Sequence, residues 1–313
     1  MQNKLCFGNK LLVFSMVFCL LINLTGCWDR EELEELAYVM AMGLDYLPEE
    51  DTFEVTSAII RPINIPAGEQ GGGGDMETFR LITTQGDTLS TALEKQNAFL
   101  ARRIYFAHNE VVIIGETLAR KGLHMVLDRF AREKDKRMAV QFFVTSEDVK
   151  EVMRSGAKIE EGMPILLATW QERKDGQILA PVVELRQFIK SLLSGGIDPV
   201  LPRLSTSTER PISPQETEVA GKDSSELVFY PQVSGMAAFK DDQLAGFLEG
   251  DAVKGFLYVD ELIADSAEMF EDPLGNPGKV VVFILRNHTR IIPLDNRGTP
   301  AARIEVTAEG EIC

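Results

Sequence analysis

At 313 residues, with 45% apolar and 26% charged side chains, the chain is long enough for about two globular domains with real cores. It is acidic, with 48 Asp and Glu against 32 Lys and Arg and a formal charge of −16. That balance excludes nucleic acid, whose phosphates need a basic footprint, and argues against docking on anionic lipid, so membrane attachment needs a source other than charge.

In chain order, Lys4 and Lys10 precede Leu11 to Ile22, a run that is apolar but for Ser15. Its length suits a signal-peptide core and falls short of the roughly 20 residues that span a bilayer. Leu24-Thr25-Gly26-Cys27 then fits the bacterial lipoprotein box, an apolar residue and small ones ahead of a cysteine. The fit implies diacylglyceryl transfer to the Cys27 sulfur, cleavage before it and retention by acyl chains. The other reading is an ordinary cleaved signal with Cys27 a free thiol. Loss of residues 1–26 takes Lys4 and Lys10 away, for a charge of −18, and leaves only Cys27 and Cys313 of the cysteines. No disulfide framework is then possible. Trp28 either sits at the head-group level of a membrane or packs on its own domain.

Glu31 to Leu36 is helix-compatible, and Ala37 to Gly43 reads as a buried strand. A turn around Pro48 leads to a second strand with Phe53, Val55 and Ile59, which makes a hairpin. Gly71 to Gly74 marks a loop; no strand feeds it and no Lys-Ser/Thr follows, which counts against a phosphate cradle. METFRLITTQG is a strand, and Asp87 or Thr88 caps a helix whose face carries Leu89, Ala92, Leu93, Gln96 and Leu100. NEVVIIG is a short buried strand, ETLARKGLHMVLDRFAREK a helix and MAVQFFVTS a strand, after which Ser146 caps a helix running to Arg154. VVELRQFIKSLLSGG is an amphipathic helix with Val183, Phe188, Leu192 and Leu193, ended by Gly195-Gly196. Residues 205–226 are rich in Ser, Thr, Glu and Pro and read as a polar linker or loop. Beyond it lie a hairpin turning at Asp241-Asp242, a helix from Asp251 to about Leu262, and two β-rich runs, KVVVFILRNHTRIIPL and ARIEVTAEGEI. The class is α+β, with mixed β-sheets and packed helices in at least two domains, the C-terminal one incomplete. The expected division is a signal at 1–26, an N-terminal αβ domain at 27–204, the linker at 205–226 and a C-terminal αβ domain at 227–313.

Motifs for chemistry are scarce. GxSxG, HExxH and a Walker lysine are all missing, so no catalytic residue is expected. His108, His124 and His288 stand far apart without ligand spacing, and neither a metal nor a cofactor is expected. Asp241-Asp242 reads as a turn rather than a metal dyad, and His108 as a strand-edge residue rather than a base. Arg129, Arg132, Lys134, Lys136 and Arg137 form a basic patch with two open readings. One is a solvated helix end whose cations complement the dipole; the other is a docking patch for an acidic partner or a lipid head group.

Three blocks carry a family resemblance. LTGCWDREELEELAYVMAMGLD pairs Cys27-Trp28-Asp29 with a strand ending in Gly43-Leu44-Asp45. LARRIYFAHNEVVIIGETLARKGLHMVLDRFAREKDKR holds His108, Gly115, Gly122 and the run from Arg132 to Arg137. AAFKDDQLAGFLEGDAVKGFLYV contains Phe239-Lys240, Asp242, Leu244 and Gly246 in a hairpin pattern. Together they resemble the C subunits of spore germinant receptors, the GerAC-type lipoproteins. The resemblance implies a lipid-anchored, non-enzymatic subunit on the outer face of the inner spore membrane. It also implies integral-membrane A and B subunits as partners and a need for the chain in nutrient-triggered germination. Family members continue with a long helix and closing strands, so the C-terminal domain is expected to be short by roughly 60–80 residues. The alternative function is an extracytoplasmic solute-binding lipoprotein, which needs a concave pocket with convergent polar groups.

Overall fold

A computed structural model describes residues 14–16, 35–60, 79–132, 137–155, 180–208, 230–263, 266–271, 278–294 and 301–312. The chain divides into two compact units, Met1–Leu36 and Ala37–Cys313. In the first, Phe14, Ser15 and Met16 are helical and exposed. The lipoprotein box, Leu24, Thr25, Gly26 and Cys27, lies outside the described residues, as do Trp28 and the glycine run.

Strand β1 (Leu36–Leu47) and β2 (Thr52–Ile60) form the expected hairpin. Its turn needs a left-handed residue, and Asp51 supplies it at φ 52°, held by a 2.5 Å hydrogen bond from the Tyr46 hydroxyl. Strand β3 (Phe79–Gly86) continues the meander on β2. Helix α1 (Leu89–Ala98) starts at Thr88, which exchanges capping bonds with Thr91. The short β4 (Arg103–Tyr105) pairs with β1 and was not expected. Then β5 (Val111–Gly115) and β6 (Gln141–Thr145) run parallel to β1, every residue buried. Continuous apolar runs such as Val111 to Ile114 fit central parallel strands covered on both faces.

The segment between β5 and β6 is two helices, α2 (Glu116–Lys121) and α3 (His124–Arg132), where the sequence reads as one. Gly122 sits between them at φ 116°, outside helical space. Helix α4 (Val149–Ser155) is capped by Asp148, whose Oδ1 accepts from the amides of Lys150 (2.8 Å) and Glu151 (3.1 Å). The expected cap, Ser146, instead accepts from Arg203. Helix α5 (Leu185–Leu193) buries Leu185 and Phe188, but Leu193 is 79% exposed and not part of its inner face. Strand β7 (Val200–Ser207) is parallel to β6, so residues 205–207, expected in the polar linker, close a strand.

Strands β8 (Tyr230–Lys240) and β9 (Gln243–Leu248) are the second expected hairpin, with Asp241 at φ 54° in the turn. Helix α6 (Asp251–Val259) ends short of Leu262. A second sheet joins β10 (Ser266–Glu271), unexpected from the sequence, to β11 (Lys279–Leu294) and β12 (Ala301–Ile312).

The nine-stranded sheet has the order β3-β2-β1-β5-β6-β7-β8-β9, with β4 on β1. Alternation splits its side chains between two cores. Met42, Leu44, Val112, Ile114, Phe142 and Val144 meet α1, α2, α3 and α5 on one face. Ala41, Ile113 and Phe143 meet α4, α6 and Ile284 of β11 on the other. Strand β7, which ends at Ser207, pairs with β8, which begins at Tyr230, so the sheet holds strands from both sides of residues 209–229.

Candidate functional site

Helix α2 begins at Gly115, which has no side chain to cap the first turn. The cap comes from the neighbouring strand. Asp45 of β1 accepts from the amide of Tyr46 (2.8 Å) and from that of Leu118 in the first turn of α2. A Cβ on Gly115 would stand 2.2 Å from Asp45 Oδ1, so glycine is what lets the carboxylate in. Burial raises the Asp45 pKa to about 6, and the charges of Glu54 and Asp148 push the same way. Glu54 lies directly across from Asp45 in the sheet, buried, with Gln85 donating to it and Lys150 ion-paired at 3.1 Å. The oxygens of Asp45 are engaged by backbone amides, an arrangement that fixes a helix end.

A second lock closes the α2–α3 corner. The Leu123 amide donates to the Asp242 carbonyl (3.0 Å) and the His124 amide to Asp242 Oδ2 (2.9 Å). A Cβ on Gly122 would come within 2.9 Å of that same Oδ2. The Asp241-Asp242 pair is thus a turn whose second carboxylate caps α3. Among the described residues, no group of three or more His, Cys, Asp or Glu is placed to hold a metal ion.

The predicted basic patch is only partly assembled. Arg129 donates to Ser90 Oγ at 2.5 Å, and Arg132 pairs with Asp128 at 2.6 Å. Both line a groove of about 460 Å³ between the start of α1 and α3, together with Thr88, Leu89 and Met125. Arg137 is exposed and does not line it; Lys134 and Lys136 lie outside the described residues. His108 is exposed, its ring 5.3 Å from Tyr38 and 6.1 Å from Tyr105. Its neighbour Asn109 is the buried anchor there, its amide nitrogen placed to donate to the carbonyls of Val111 (3.0 Å) and Met40 (3.2 Å). Sequence reasoning missed Arg203, which joins Ser146, Glu249 and the face of Phe247 (4.3 Å). These partners are distant in the chain, so no local pattern announces them.

Residues 29–206 match the family model described as spore germination protein N-terminal domain. Residues 234–313 match the one described as spore germination B3/GerAC like, C-terminal. The chain belongs to the GerAC-type spore germination family. It is 27% identical over 312 residues to spore germination protein KC of Bacillus subtilis (strain 168), covering 97% of this chain and 74% of that protein. To spore germination protein B3 of the same organism it is 22% identical over 303 residues, 95% and 73% of the two chains. A solved structure titled as the crystal structure of the GerBC protein aligns with a TM-score of 0.47 at 17% identity, covering 91% of this chain and 74% of that one. GerAC-type proteins are germinant-receptor C subunits, a family of spore germination proteins and not of known enzymes. In this GerAC-type chain the three sequence blocks interlock. Asp45 of the first reaches past Gly115 of the second, and Asp242 of the third closes on Gly122 of the second.

Proposed function

We infer that this chain is a lipid-anchored, non-enzymatic subunit of a nutrient germinant receptor, acting through protein–protein contacts on the outer face of the inner spore membrane. The observation that carries this reading is positional: the first GerAC family match begins at residue 29, two residues after Cys27 of the Leu24-Thr25-Gly26-Cys27 box. Cleavage before Cys27 would leave a lipidated cysteine at the head of the family fold. Among the described residues no helix is long and apolar enough to cross a membrane. On this reading a tether raises the effective concentration of the folded unit beside integral-membrane A and B subunits, so individual contacts need not be strong. The groove at Arg129 and Arg132, its guanidinium groups already set by Ser90 and Asp128, is the surface offered to an acidic partner segment.

Replacing Cys27→Ala should shift the chain from the membrane to the soluble fraction and weaken germination in response to nutrients. Cell fractionation and germination assays on the same spores check both. A detached chain that supports normal germination would overturn the proposal.

A further inference from the structure

The amino-terminal ends of β1 and β3 and the far end of β2 hold a second groove, of about 450 Å³, that none of these roles uses. Its floor is Ala37, Ile59, Ile60 and Leu100, and its rim carries Arg80 and Arg102. Strand register explains the assembly. Val39 pairs with Ile59, and Ile59 with Arg80, while α1 delivers residues 99–102 to the same end just ahead of β4. Both rim arginines are exposed, and among the described residues lining the groove none is acidic. Phe99, which ends α1 beside them, is 68% exposed.

An apolar floor, an exposed phenyl ring and two guanidinium groups suit a surface that is at once anionic and apolar. Guanidinium forks match phosphate oxygens, aromatic side chains settle at the head-group level, and apolar groups enter the acyl boundary. The negative whole-chain charge is attenuated beyond about 10 Å, and of the described residues lining the groove only Arg80 and Arg102 are charged. The chain also enters the folded unit here: Ala37 lines the groove, ten residues after Cys27. We propose that the Arg80–Arg102 groove and Phe99 form a seat for an anionic phospholipid surface, which sets the orientation of the unit on the bilayer. This rests on the reading of Cys27 as the anchor, since the acyl chains would supply attachment and the seat orientation.

Residues Ala37–Cys313 form a compact unit of their own. The test therefore uses the chain from residue 27 carrying Cys27→Ala, sedimented with vesicles of phosphatidylglycerol or of phosphatidylcholine. Binding should favour phosphatidylglycerol, fall with added salt, and drop about 30-fold in Arg80→Gln/Arg102→Gln, the loss expected for two surface arginines. Removing the same charge through Arg154→Gln/Arg186→Gln should leave binding unchanged. Equal binding to both vesicles, or indifference to the rim arginines, overturns the seat. So does loss of a co-purifying membrane protein from the rim variant when the soluble chain shows no lipid preference, which would make the groove a protein contact. Palmitate labelling of the unaltered chain in cells reads the anchor separately: an unlabelled chain that still prefers phosphatidylglycerol supports the seat and overturns the anchor.

Discussion

A carboxylate held out of water beside two others costs free energy when it ionises, and Asp45 is such a group. Its pKa is raised from 3.8 to about 6, so the folded chain holds this proton more tightly than the unfolded chain does. The sign follows from that difference. The stabilisation is fully present below pH 3.8 and is lost as pH rises through about 6. The displacement corresponds to about 3 kcal/mol. Asp45→Asn keeps an acceptor for the Leu118 amide and removes the titration. Its stability relative to the parent chain should therefore rise by roughly 2 kcal/mol between pH 4 and pH 7, read from urea unfolding of both proteins. Parallel stability profiles would show that Asp45 does not titrate in this window. Asp45 stands in plain view in the Gly43-Leu44-Asp45 block, yet its task is not local. The amide it caps belongs to a helix that follows a different strand, and only the parallel pairing of β1 with β5 brings Asp45 to Gly115.

Helix α1 shows how far periodicity carries an element and where it stops. Leu89, Ala92, Leu93 and Gln96 are buried, as their spacing indicates, and Thr88 caps. Periodicity cannot say why a glutamine belongs on that face. Gln96 is fully buried, accepts from the Ser57 hydroxyl (2.7 Å), and donates to the carbonyls of Val55 (2.9 Å) and Ile82 (3.1 Å). It thus ties α1 to β2 and β3 together. Gln96→Leu fills similar space and leaves the Ser57 hydroxyl without this acceptor. A loss of about 2–4 kcal/mol is expected, partly restored in the double variant with Ser57→Ala, because removing both partners costs less than removing one. Equilibrium unfolding of the single and double variants decides it; additive effects would mean the bonds are not coupled. The α2–α3 corner went unread for a related reason. Apolar spacing continues through Gly122, and the break is enforced by Asp242 from a hairpin far along the chain. Strands β4 and β10 were missed because three residues, or a mostly exposed run such as SAEMFE, carry too little alternation to register.

At the scale of the molecule, the two family matches meet across residues 207–233, yet the sheet passes straight through that junction. Strand β7 pairs with β8 from Val200↔Ala238 to Ser207↔Tyr230. Leu201 and Leu204 on one side and Val233, Met236 and Phe239 on the other are buried, and Phe239 stacks edge-on to Phe188 of α5 at 5.2 Å. Burial of these five side chains, at about 2 kcal/mol each, contributes on the order of 10 kcal/mol to holding the two strands together. Asp242 on the α2–α3 corner and the Arg203–Glu249 pair span the same junction. Polar composition reports the solvation of a segment, not whether the strands on either side of it pair, so the β7–β8 pairing is not legible in residues 205–226. Proteolytic nicking between residues 209 and 229 should therefore leave the two pieces associated at micromolar concentration. The nicked chain should unfold in one transition, shifted down by the lost tether, in a thermal melt followed by size-exclusion chromatography. Elution as separate fragments under native conditions, or two well-separated transitions, would mean that β7 and β8 are held together by the connecting chain rather than by the core they share.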